Sequence, residues 1–251
     1  MTTEQPLVLE ERHDGTILLT LNRPERHHAL SQALCAALES AIDRAEADPV
    51  IRVLVITGGG DRAFCAGADM LEASGVEAPT PGVGSAQRIY ARLATTVKPV
   101  IAAVNGYCYG GGARLAIGCD IRLASEGSSF RLPGSEYGLV VAAATLPRLV
   151  GAARAKELIF TARAFDASEA LSYGLVSAVY PREELLPAAL EMARVIASHS
   201  AEAVQAAKRV IDAATLFEEA RLLEDEANRM LRGSPEHTAR FRSATQRITG
   251  R

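Results

Sequence analysis

The sequence predicts an α/β protein in which helices cover a largely parallel β-sheet. Two aliphatic runs, at residues 53–57 and 100–104, have the length and β-branched content of buried strands, and glycine-containing turns follow both runs. Helical patterns separate the predicted strands, and the chain after residue 180 is almost wholly helical in character. Because parallel strands are joined by crossover connections, this alternation favours right-handed β-α-β units.

The N-terminal part is predicted to form a hairpin and then a helix. Residues 7–12 and 16–21 alternate between apolar and polar around an Asp-Gly pair, which is a hairpin signal. Ser31 is a suitable N-cap for a helix over residues 32–47, because the apolar residues of that segment recur on one helical face. The first of the two aliphatic strands follows this helix.

The middle of the chain continues the alternation. A helix is predicted at residues 85–96, and three glycines at 110–112 open another helix after the second aliphatic strand. Further strands are predicted at residues 121–124 and near Phe130. Four helices with apolar faces complete the chain, at residues 182–198, 202–214, 216–232 and 236–247.

The composition is typical of a globular protein and excludes several partners. The chain of 251 residues is 48% hydrophobic and 23% charged, and its net charge of −3 comes with no basic stripe, so nucleic acid is not an expected partner. No apolar run approaches the ~18 residues of a membrane span. The N-terminal residues also lack the basic and apolar regions of a secretory signal. The sequence therefore predicts a cytoplasmic protein without a membrane span.

The four cysteines show no metal-binding spacing, so no metal site is predicted. They are expected to be reduced and mostly buried thiols. Cys65 and Cys108 each adjoin a glycine-containing turn, but neither has a base near it in the sequence that would make it a nucleophile.

The most informative segment covers residues 101–114, with the sequence IAAVNGYCYGGGAR. A buried apolar run ends at Asn105 and Gly106, and three glycines then open the next segment, which indicates a strand, a turn and a helix N-terminus. The first N–H groups of a helix are unpaired donors at the positive end of the helix dipole, and glycine lets a ligand approach the backbone closely. Such a place suits a developing oxyanion.

A second segment of this kind lies upstream, where the strand at residues 53–57 leads to the small-residue turn Ala66-Gly67-Ala68-Asp69. Two strand ends followed by such turns can each supply one backbone N–H group to the same oxygen. A stretch rich in proline and glycine, residues 78–84, comes after this turn and is predicted to be a mobile loop that flanks the active site.

Together the two segments closely resemble the crotonase superfamily of enoyl-CoA hydratases and isomerases. The resemblance extends to residues 21–30, LNRPERHHAL, where His28 stands in place of the usual asparagine, and to two later helical segments, at residues 155–162 and 167–177.

This resemblance covers about residues 17–179 and continues more loosely to residue 241. It implies a crotonase-like spiral ββα core with an acyl-CoA site, at residues 1–180, and a helical C-terminal region, at residues 181–251, within the same functional unit. In the superfamily the C-terminal helices pack at a trimer interface, so a homotrimer or a dimer of trimers is expected.

The resemblance also implies which residues act. It indicates an enzyme that binds an acyl-CoA thioester, needs no other cofactor, and stabilises a thioester enolate with the backbone N–H groups of Ala68 and Gly111. Backbone donors suit this task because they are preorganised and do not lose a proton. Arg26, with His27 beside it, is placed to meet the phosphates of CoA. The remaining CoA contacts are expected from Ala66, Gly67, Asp69 and Met70.

Two positions depart from the family pattern. Hydratases of the family carry one glutamate two residues after the triple glycine and another after a proline in the next segment, where this chain has Arg114 and Gly134. Hydration of an enoyl thioester requires a positioned, deprotonated water and protonation of the α carbon. Arginine stays charged at neutral pH and glycine has no acid or base group, so conventional hydration is not expected.

Three functions remain open at this point. The first is an altered acyl-CoA enzyme in which Glu136 is a lone acid and base, which suffices for moving a double bond. The second is a fatty acyl-CoA-binding protein without turnover. The third is a decarboxylase, a thioesterase or another divergent branch that uses different polar residues, for which the sequence offers Tyr107, Tyr109 and Tyr137 as donors.

Arg114 itself needs a partner, because a cation in the first turn of a helix opposes the helix dipole and a buried cation is costly unless paired. We expect Arg114 to pair with Glu136, with a carboxylate on the acyl group as the alternative. The pair would make Glu136 a poorer base and favour acyl-CoA binding without turnover. An unpaired Glu136 in an apolar pocket would favour the isomerase.

Overall fold

The structure is a computed structural model that describes residues 5–77 and 85–250. The predicted loop at residues 78–84 lies outside these residues. Within them, ten strands form two sheets. The strands are β1 (Val8–His13), β2 (Thr16–Leu21), β3 (Val53–Gly58), β4 (Ala63–Cys65), β5 (Val100–Val104), β6 (Tyr107–Tyr109), β7 (Ile121–Ser125), β8 (Ser129–Arg131), β9 (Ala164–Asp166) and β10 (Ala178–Tyr180).

Helices flank both sheets. The described residues also include two short 3₁₀ turns, Pro24–Arg26 after β2 and Ser135–Tyr137 after β8. The α-helices are α1 (Gln32–Ala47), α2 (Met70–Ala73), α3 (Ala86–Thr95), α4 (Gly111–Gly118), α5 (Pro147–Val150), α6 (Ala152–Thr161), α7 (Ala167–Ser172), α8 (Arg182–Ser198), α9 (Ala201–Thr215), α10 (Glu218–Leu231) and α11 (Pro235–Thr249).

The larger sheet has the strand order β1-β2-β3-β5-β7-β10, and the smaller sheet has the order β4-β6-β8-β9. The hairpin of β1 and β2 is antiparallel, while every other neighbouring pair of the larger sheet is parallel. In the smaller sheet β4, β6 and β8 run parallel, and β9 is antiparallel to β8.

The chain alternates between the two sheets in a repeated way. β3 of the larger sheet is followed by β4 of the smaller one, β5 by β6, and β7 by β8, and helices follow each of these pairs. Two strands and a helix are therefore the unit that repeats around the core. This arrangement confirms the spiral ββα fold of the α/β class that the sequence predicts.

Apolar side chains of both sheets and of α1 meet in one core. Leu54 and Ile56 of β3 are fully buried in it, as are Leu34 and Leu38 of α1. The continuous aliphatic sequence of β3 follows from burial on both faces, since Val53 and Val55 of the same strand enter a second apolar cluster.

Helix α8 covers that second face of the larger sheet. Leu185, Ala189, Ala193 and Ala197 recur at intervals of four residues and pack against β2, β3, β5 and β7. The first helix after residue 180 is thus part of the packing around the sheet that precedes it.

The last three helices are more exposed than α8. No apolar residue of α9 or α10 is buried in the described part of the chain, and several large apolar side chains face solvent. They include Val210, Ile211, Leu222, Leu223 and Met230. The expected trimer interface on these helices stays a prediction. No helix within residues 5–77 and 85–250 is long and apolar enough to cross a membrane.

Most predicted elements lie close to their expected bounds. The helix predicted at residues 32–47 is α1, and Oγ of Ser31 accepts a hydrogen bond from the N–H group of Leu34 at 3.2 Å. The strand predicted at residues 100–104 is β5. The strands β4, β6, β9 and β10 are absent from the prediction, because three residues are too few to show a periodic pattern.

A buried cation secures the end of α4. Arg122 is 5% exposed, and its guanidinium donates to the backbone oxygens of Leu175 and Cys119 at 2.7 Å each. A longer contact of 3.4 Å reaches the oxygen of Ala116. The oxygen of Ala116 already accepts from the N–H group of Cys119, so the guanidinium chiefly satisfies the carbonyls of Leu175 and of Cys119, the residue that caps α4.

Replacing this cation with an apolar side chain leaves those carbonyls buried without donors. We predict that Arg122→Met lowers the free energy of unfolding by about 2–3 kcal/mol, measured by urea denaturation. Arg194→Met is the control, because Arg194 pairs with Glu191 on the exposed face of α8 and should leave the midpoint nearly unchanged. Equal effects of the two substitutions would contradict the role given to Arg122.

Candidate active site

The turn after β4 requires glycine at one position. Gly67 has a φ of +102°, and a Cβ atom there would lie 2.8 Å from the oxygen of Tyr109 and 3.2 Å from the nitrogen of Gly111. A side chain is therefore excluded by both conformation and contact. The turn consequently packs directly on the backbone that opens α4.

The backbone at the start of α4 also lies in close contact with β4. Gly110 has a φ of +52° as the N-cap residue, and a Cβ atom on Gly112 would lie only 2.1 Å from the oxygen of Cys65. The glycine triplet is thus required by a left-handed turn and by the contact between helix and strand. Burial raises the pKa of Cys65 to about 12, so this cysteine is a protonated packing residue.

The two turns bring the predicted N–H donors together. The position of a Cβ atom on Gly111 lies 3.6 Å from the backbone nitrogen of Ala68. Neither the N–H group of Ala68 nor that of Gly111 has an acceptor within residues 5–77 and 85–250. Ala68 is exposed and Gly111 is half-buried. The arrangement leaves two neighbouring backbone donors open to a ligand oxygen.

Tyr90 of α3 supports this arrangement from the other side. Its hydroxyl donates to the backbone oxygen of Gly111 at 2.9 Å. Burial raises the pKa of Tyr90, so its hydroxyl keeps the proton that it donates. The sequence analysis missed this residue, because a tyrosine on an amphipathic helix carries no local signal of such a contact.

Asp69 has a structural role in the same turn. Its carboxylate accepts from the N–H group of Leu71 at 3.0 Å, which caps α2, and from Nη1 of Arg23 at 2.5 Å. Burial alone would raise the pKa of Asp69, but the hydrogen bond and charge of Arg23 outweigh it and leave the pKa below its usual value. The carboxylate is thus occupied, and the backbone oxygen of Asp69 accepts from the N–H group of Ala73 at 2.9 Å. A contact of Asp69 with CoA stays a prediction.

The segment that resembles the N-terminal family motif lies against this turn. Leu30 donates its N–H group to the oxygen of Gly67 at 2.7 Å, and the carbonyl of Leu30 accepts from the N–H group of Asp69 at 3.4 Å. His28 precedes this contact with a φ of +54°. Its Nδ1 accepts from the N–H group of Arg23 at 3.0 Å, and its Nε2 lies 2.8 Å from the oxygen of Gly59. These partners require the neutral tautomer with the proton on Nε2.

The predicted phosphate contacts lie at the edge of this segment. The Arg26 side chain is 38% exposed and pairs with Glu77 at 3.2 Å between Nη2 and Oε1. The ring of His27 meets that of Tyr107 edge-on at 6.2 Å. Arg26 and His27 are therefore near the solvent side of the Ala66–Met70 turn, and their role in binding CoA remains a prediction.

The expected pair of Arg114 with Glu136 is wrong. Nη1 of Arg114 lies 3.3 Å from Oε1 of Glu224 on α10, and its guanidinium stacks 4.6 Å from the ring centre of Tyr90. The carboxylate of Glu224 also accepts from the N–H groups of Ala142 and Ala144, at 3.1 and 2.8 Å. Glu224 is 5% exposed, so it offsets the buried charge of Arg114 from a distant part of the sequence.

Glu136 points to other arginines. Its carboxylate pairs with Arg131 of β8 through Oε2, and with Nη2 of Arg247 of α11 at 2.7 Å through Oε1. Both oxygens are thus bound by cations, which opposes their use in proton transfer. Tyr137, one of the alternative donors, packs edge-on against Phe241 at 5.9 Å.

Gly134 leaves no room for the second glutamate of the family. A Cβ atom on Gly134 would lie 2.9 Å from the backbone oxygen of Leu139 and 2.8 Å from Cγ2 of Val141. The backbone after Pro133 therefore follows a path that fits glycine alone. The missing glutamate reflects a local rearrangement of the chain as well as a change of side chain.

A cavity of about 600 Å³ adjoins these residues, between α3, α4, α5, α9 and α10. Tyr90 and Arg114 line its side nearest to Gly111, and Glu224 lines the side formed by α10. No pattern in the sequence distinguishes Glu224, because it lies in a helix with many exposed glutamates.

Comparisons with known proteins find similar sequences and similar structures. A sequence model described as enoyl-CoA hydratase/isomerase matches residues 11–249. The chain is 38% identical over 209 residues to a crotonyl-CoA hydratase of Syntrophomonas wolfei, which covers 80% of this chain and 79% of that protein. An enoyl-CoA hydratase/isomerase from Pseudoalteromonas atlantica has a similar structure, with a TM-score of 0.87, 30% identity, and coverage of 96% and 97% of the two chains. A monofunctional enoyl-CoA isomerase from M. smegmatis gives a TM-score of 0.73, 32% identity, and coverage of 87% and 99%.

The burial of His28 predicts a dependence of stability on pH. Burial lowers the pKa of His28 from 6.5, so the unfolded chain takes up this proton first as the pH falls. The free energy of unfolding therefore decreases as the pH drops below 6.5 towards the folded-state pKa, and this contribution is fully present above 6.5.

His28→Asn should reduce this loss, because asparagine tolerates a positive φ and does not titrate. The measurement is urea unfolding of both proteins at about pH 7.5 and about pH 5.5. An identical loss of stability in the two proteins would contradict the assignment to His28.

Proposed function

Because the chain belongs to the enoyl-CoA hydratase/isomerase family, we propose that it binds an acyl-CoA thioester and polarises the thioester carbonyl with the backbone N–H groups of Ala68 and Gly111. The observation that carries this proposal is the proximity of these two donors, neither of which has an acceptor in the described residues. A ligand oxygen between them completes the hydrogen bonding of both turns.

The chemistry of such a site is stabilisation of an enolate. When an acyl-CoA thioester loses a group from its α carbon, negative charge develops on the carbonyl oxygen. Two fixed N–H donors, one of them at the positive end of α4, stabilise that charge without reorganising. A donor of this kind contributes roughly 3–4 kcal/mol to a transition state.

The remainder of CoA would follow the turn between β4 and α2. Ala66, Gly67, Asp69 and Met70 offer backbone atoms along it, and Arg26 offers a cation at its edge. The pair of Arg26 with Glu77 is exposed, so a phosphate competes for the arginine at little cost in free energy.

The same site lacks free acid and base groups for the hydration of an enoyl thioester. The positions of both family glutamates hold other residues, and Glu224 is already bound by Arg114 and two N–H groups. Glu136, the lone base of an isomerase, is bound by two arginines. The contacts therefore support polarisation of a bound thioester more strongly than proton transfer by a carboxylate.

A second candidate is acyl-CoA binding without turnover, which the pairing of Glu136 and of Glu224 favours. A decarboxylase remains a further alternative, because loss of carbon dioxide produces an enolate without a base. The deciding experiment incubates the pure protein in D₂O with crotonyl-CoA, a 3-enoyl-CoA and a saturated acyl-CoA, and follows binding and product mass. Deuterium at the α carbon reports enolate formation, whereas binding with no mass change indicates a non-catalytic protein.

Gly111→Ala is predicted to weaken acyl-CoA binding at least about tenfold, because the new methyl group occupies the space beside the Ala68 nitrogen and approaches the hydroxyl of Tyr90. The measurement is calorimetric titration with a saturated acyl-CoA. Gly127→Ala is the control, since a Cβ atom there makes only an ordinary contact at 3.7 Å. Unchanged affinity of the Gly111→Ala protein would overturn the proposed donor pair.

Hydration of crotonyl-CoA should be at least about 10²-fold slower than in a family member with both glutamates, the usual contribution of general acid–base catalysis. We also expect no recovery from Arg114→Glu combined with Gly134→Glu, because a side chain at residue 134 meets the oxygen of Leu139. Efficient hydration by the natural protein would contradict the need for the two glutamates. Efficient hydration by the double variant would contradict the crowding at residue 134.

A further inference from the structure

The residues that line the cavity of about 600 Å³ beside Tyr90 indicate which chemical group the acyl chain of the ligand carries. Tyr90 links it to the thioester site, since its hydroxyl binds the oxygen of Gly111 while the residue lines the cavity. Arg114, one helical turn after Gly111, lines the cavity as well. The cavity therefore adjoins the backbone of Gly111 through Tyr90 and Arg114.

The walls combine apolar side chains with an excess of cations. Tyr90, Leu93 and Leu216 provide apolar surface, whereas five arginines and four carboxylates also line the cavity. Nine of the nineteen lining residues are charged, so the lining is more polar than that of a typical small-molecule pocket and suits a ligand that itself carries charge.

Most of the carboxylates are already neutralised. Glu224 pairs with Arg114, Asp212 with Arg148, and Asp120 with Lys208, which lies outside the cavity lining. Arg229 and Arg232 have no acidic partner within residues 5–77 and 85–250. Arg221 pairs with Glu218 outside the lining, and Asp225 has no basic partner in the described residues, so two unpaired arginines against one aspartate leave the lining a net charge of +1.

Three buried polar atoms of the lining residues also lack partners. They are Nε of Arg148, Nε of Arg221 and Oγ1 of Thr145, none of which has a hydrogen-bond partner in the part of the chain described. The ion pair of Arg148 uses only Nη1, at a long distance of 3.4 Å from Asp212. Buried polar atoms of this kind normally have partners, so these three mark unmet hydrogen-bonding capacity in the side chains behind the cavity surface.

We propose that this cavity receives the acyl chain of the thioester and that Arg148, with Arg221 and Thr145, binds a carboxylate at the far end of that chain. The ligand class is an ω-carboxyacyl-CoA, the CoA ester of a dicarboxylic acid. A carboxylate has acceptors only and matches guanidinium and hydroxyl donors. This inference rests on the proposed binding of the thioester at Ala68 and Gly111, and it adds the identity of the acyl group.

The test compares ligands of equal carbon number. Succinyl-, glutaryl- and adipyl-CoA are titrated calorimetrically against butyryl-, pentanoyl- and hexanoyl-CoA. The best of the dicarboxylic esters should bind at least about tenfold more tightly than its uncharged counterpart, and added salt should reduce the difference. Equal or weaker binding of all three dicarboxylic esters, with hexanoyl-CoA still bound, overturns this inference alone. Failure of every CoA ester to bind overturns the proposed function together with it.

Two substitutions with opposite expected effects test the assignment to Arg148. Arg148→Met should abolish the preference for the dicarboxylic ester, whereas Asp212→Asn should increase it by about threefold, because it frees Arg148 from its competing partner. Arg88→Met is the control, since Arg88 pairs with Glu39 on the exposed side of α3 and should keep the preference. A preference that survives Arg148→Met, or falls with Asp212→Asn, contradicts the role of Arg148.

Discussion

The candidate site depends on one close contact, in which the N-terminus of α4 packs against β4 and the turn that follows it. Gly112 lies against the backbone of Cys65, and Gly67 lies against that of Tyr109. Side chains at either position would separate the two turns. Because no side chain intervenes, the N–H groups of Ala68 and Gly111 face the same space. The polarising chemistry proposed for the chain follows from this backbone contact and needs no particular side chain.

Surrounding residues hold the contact in place from several directions. Tyr90 binds the carbonyl of Gly111, Asp69 caps α2 while it binds Arg23, and Leu30 bonds to Gly67. These residues are distributed over α3, the turn and the N-terminal segment. Their hydrogen bonds are between buried or half-buried groups, where each partner is costly to remove. These hydrogen bonds hold the backbone around Ala68 and Gly111 in place, and the arginine-rich cavity adjoins it beyond Tyr90.

The fold and the proximity of Ala68 to Gly111 were predictable from the sequence, whereas the charge arrangement was not. Aliphatic runs that end in glycine turns are local signals, and they identified β3, β5 and the start of α4. The partner of Arg114 is Glu224, which is distant in the sequence and lies in a helix rich in exposed acids, so no local pattern distinguishes it. The expected pairing with Glu136 failed because Arg131 and Arg247 already bind that carboxylate. Crowding at Gly134 likewise depends on contacts with Leu139 and Val141 that only the folded chain reveals.

The central claim is that two backbone donors polarise the carbonyl of a bound thioester. Vibrational spectroscopy of an acyl-CoA labelled with ¹³C at the thioester carbon measures this directly. The account predicts that the carbonyl stretching frequency falls when the ligand binds, since hydrogen bonds to the oxygen weaken the double bond. A ligand that binds tightly and keeps the frequency of free acyl-CoA would contradict the account.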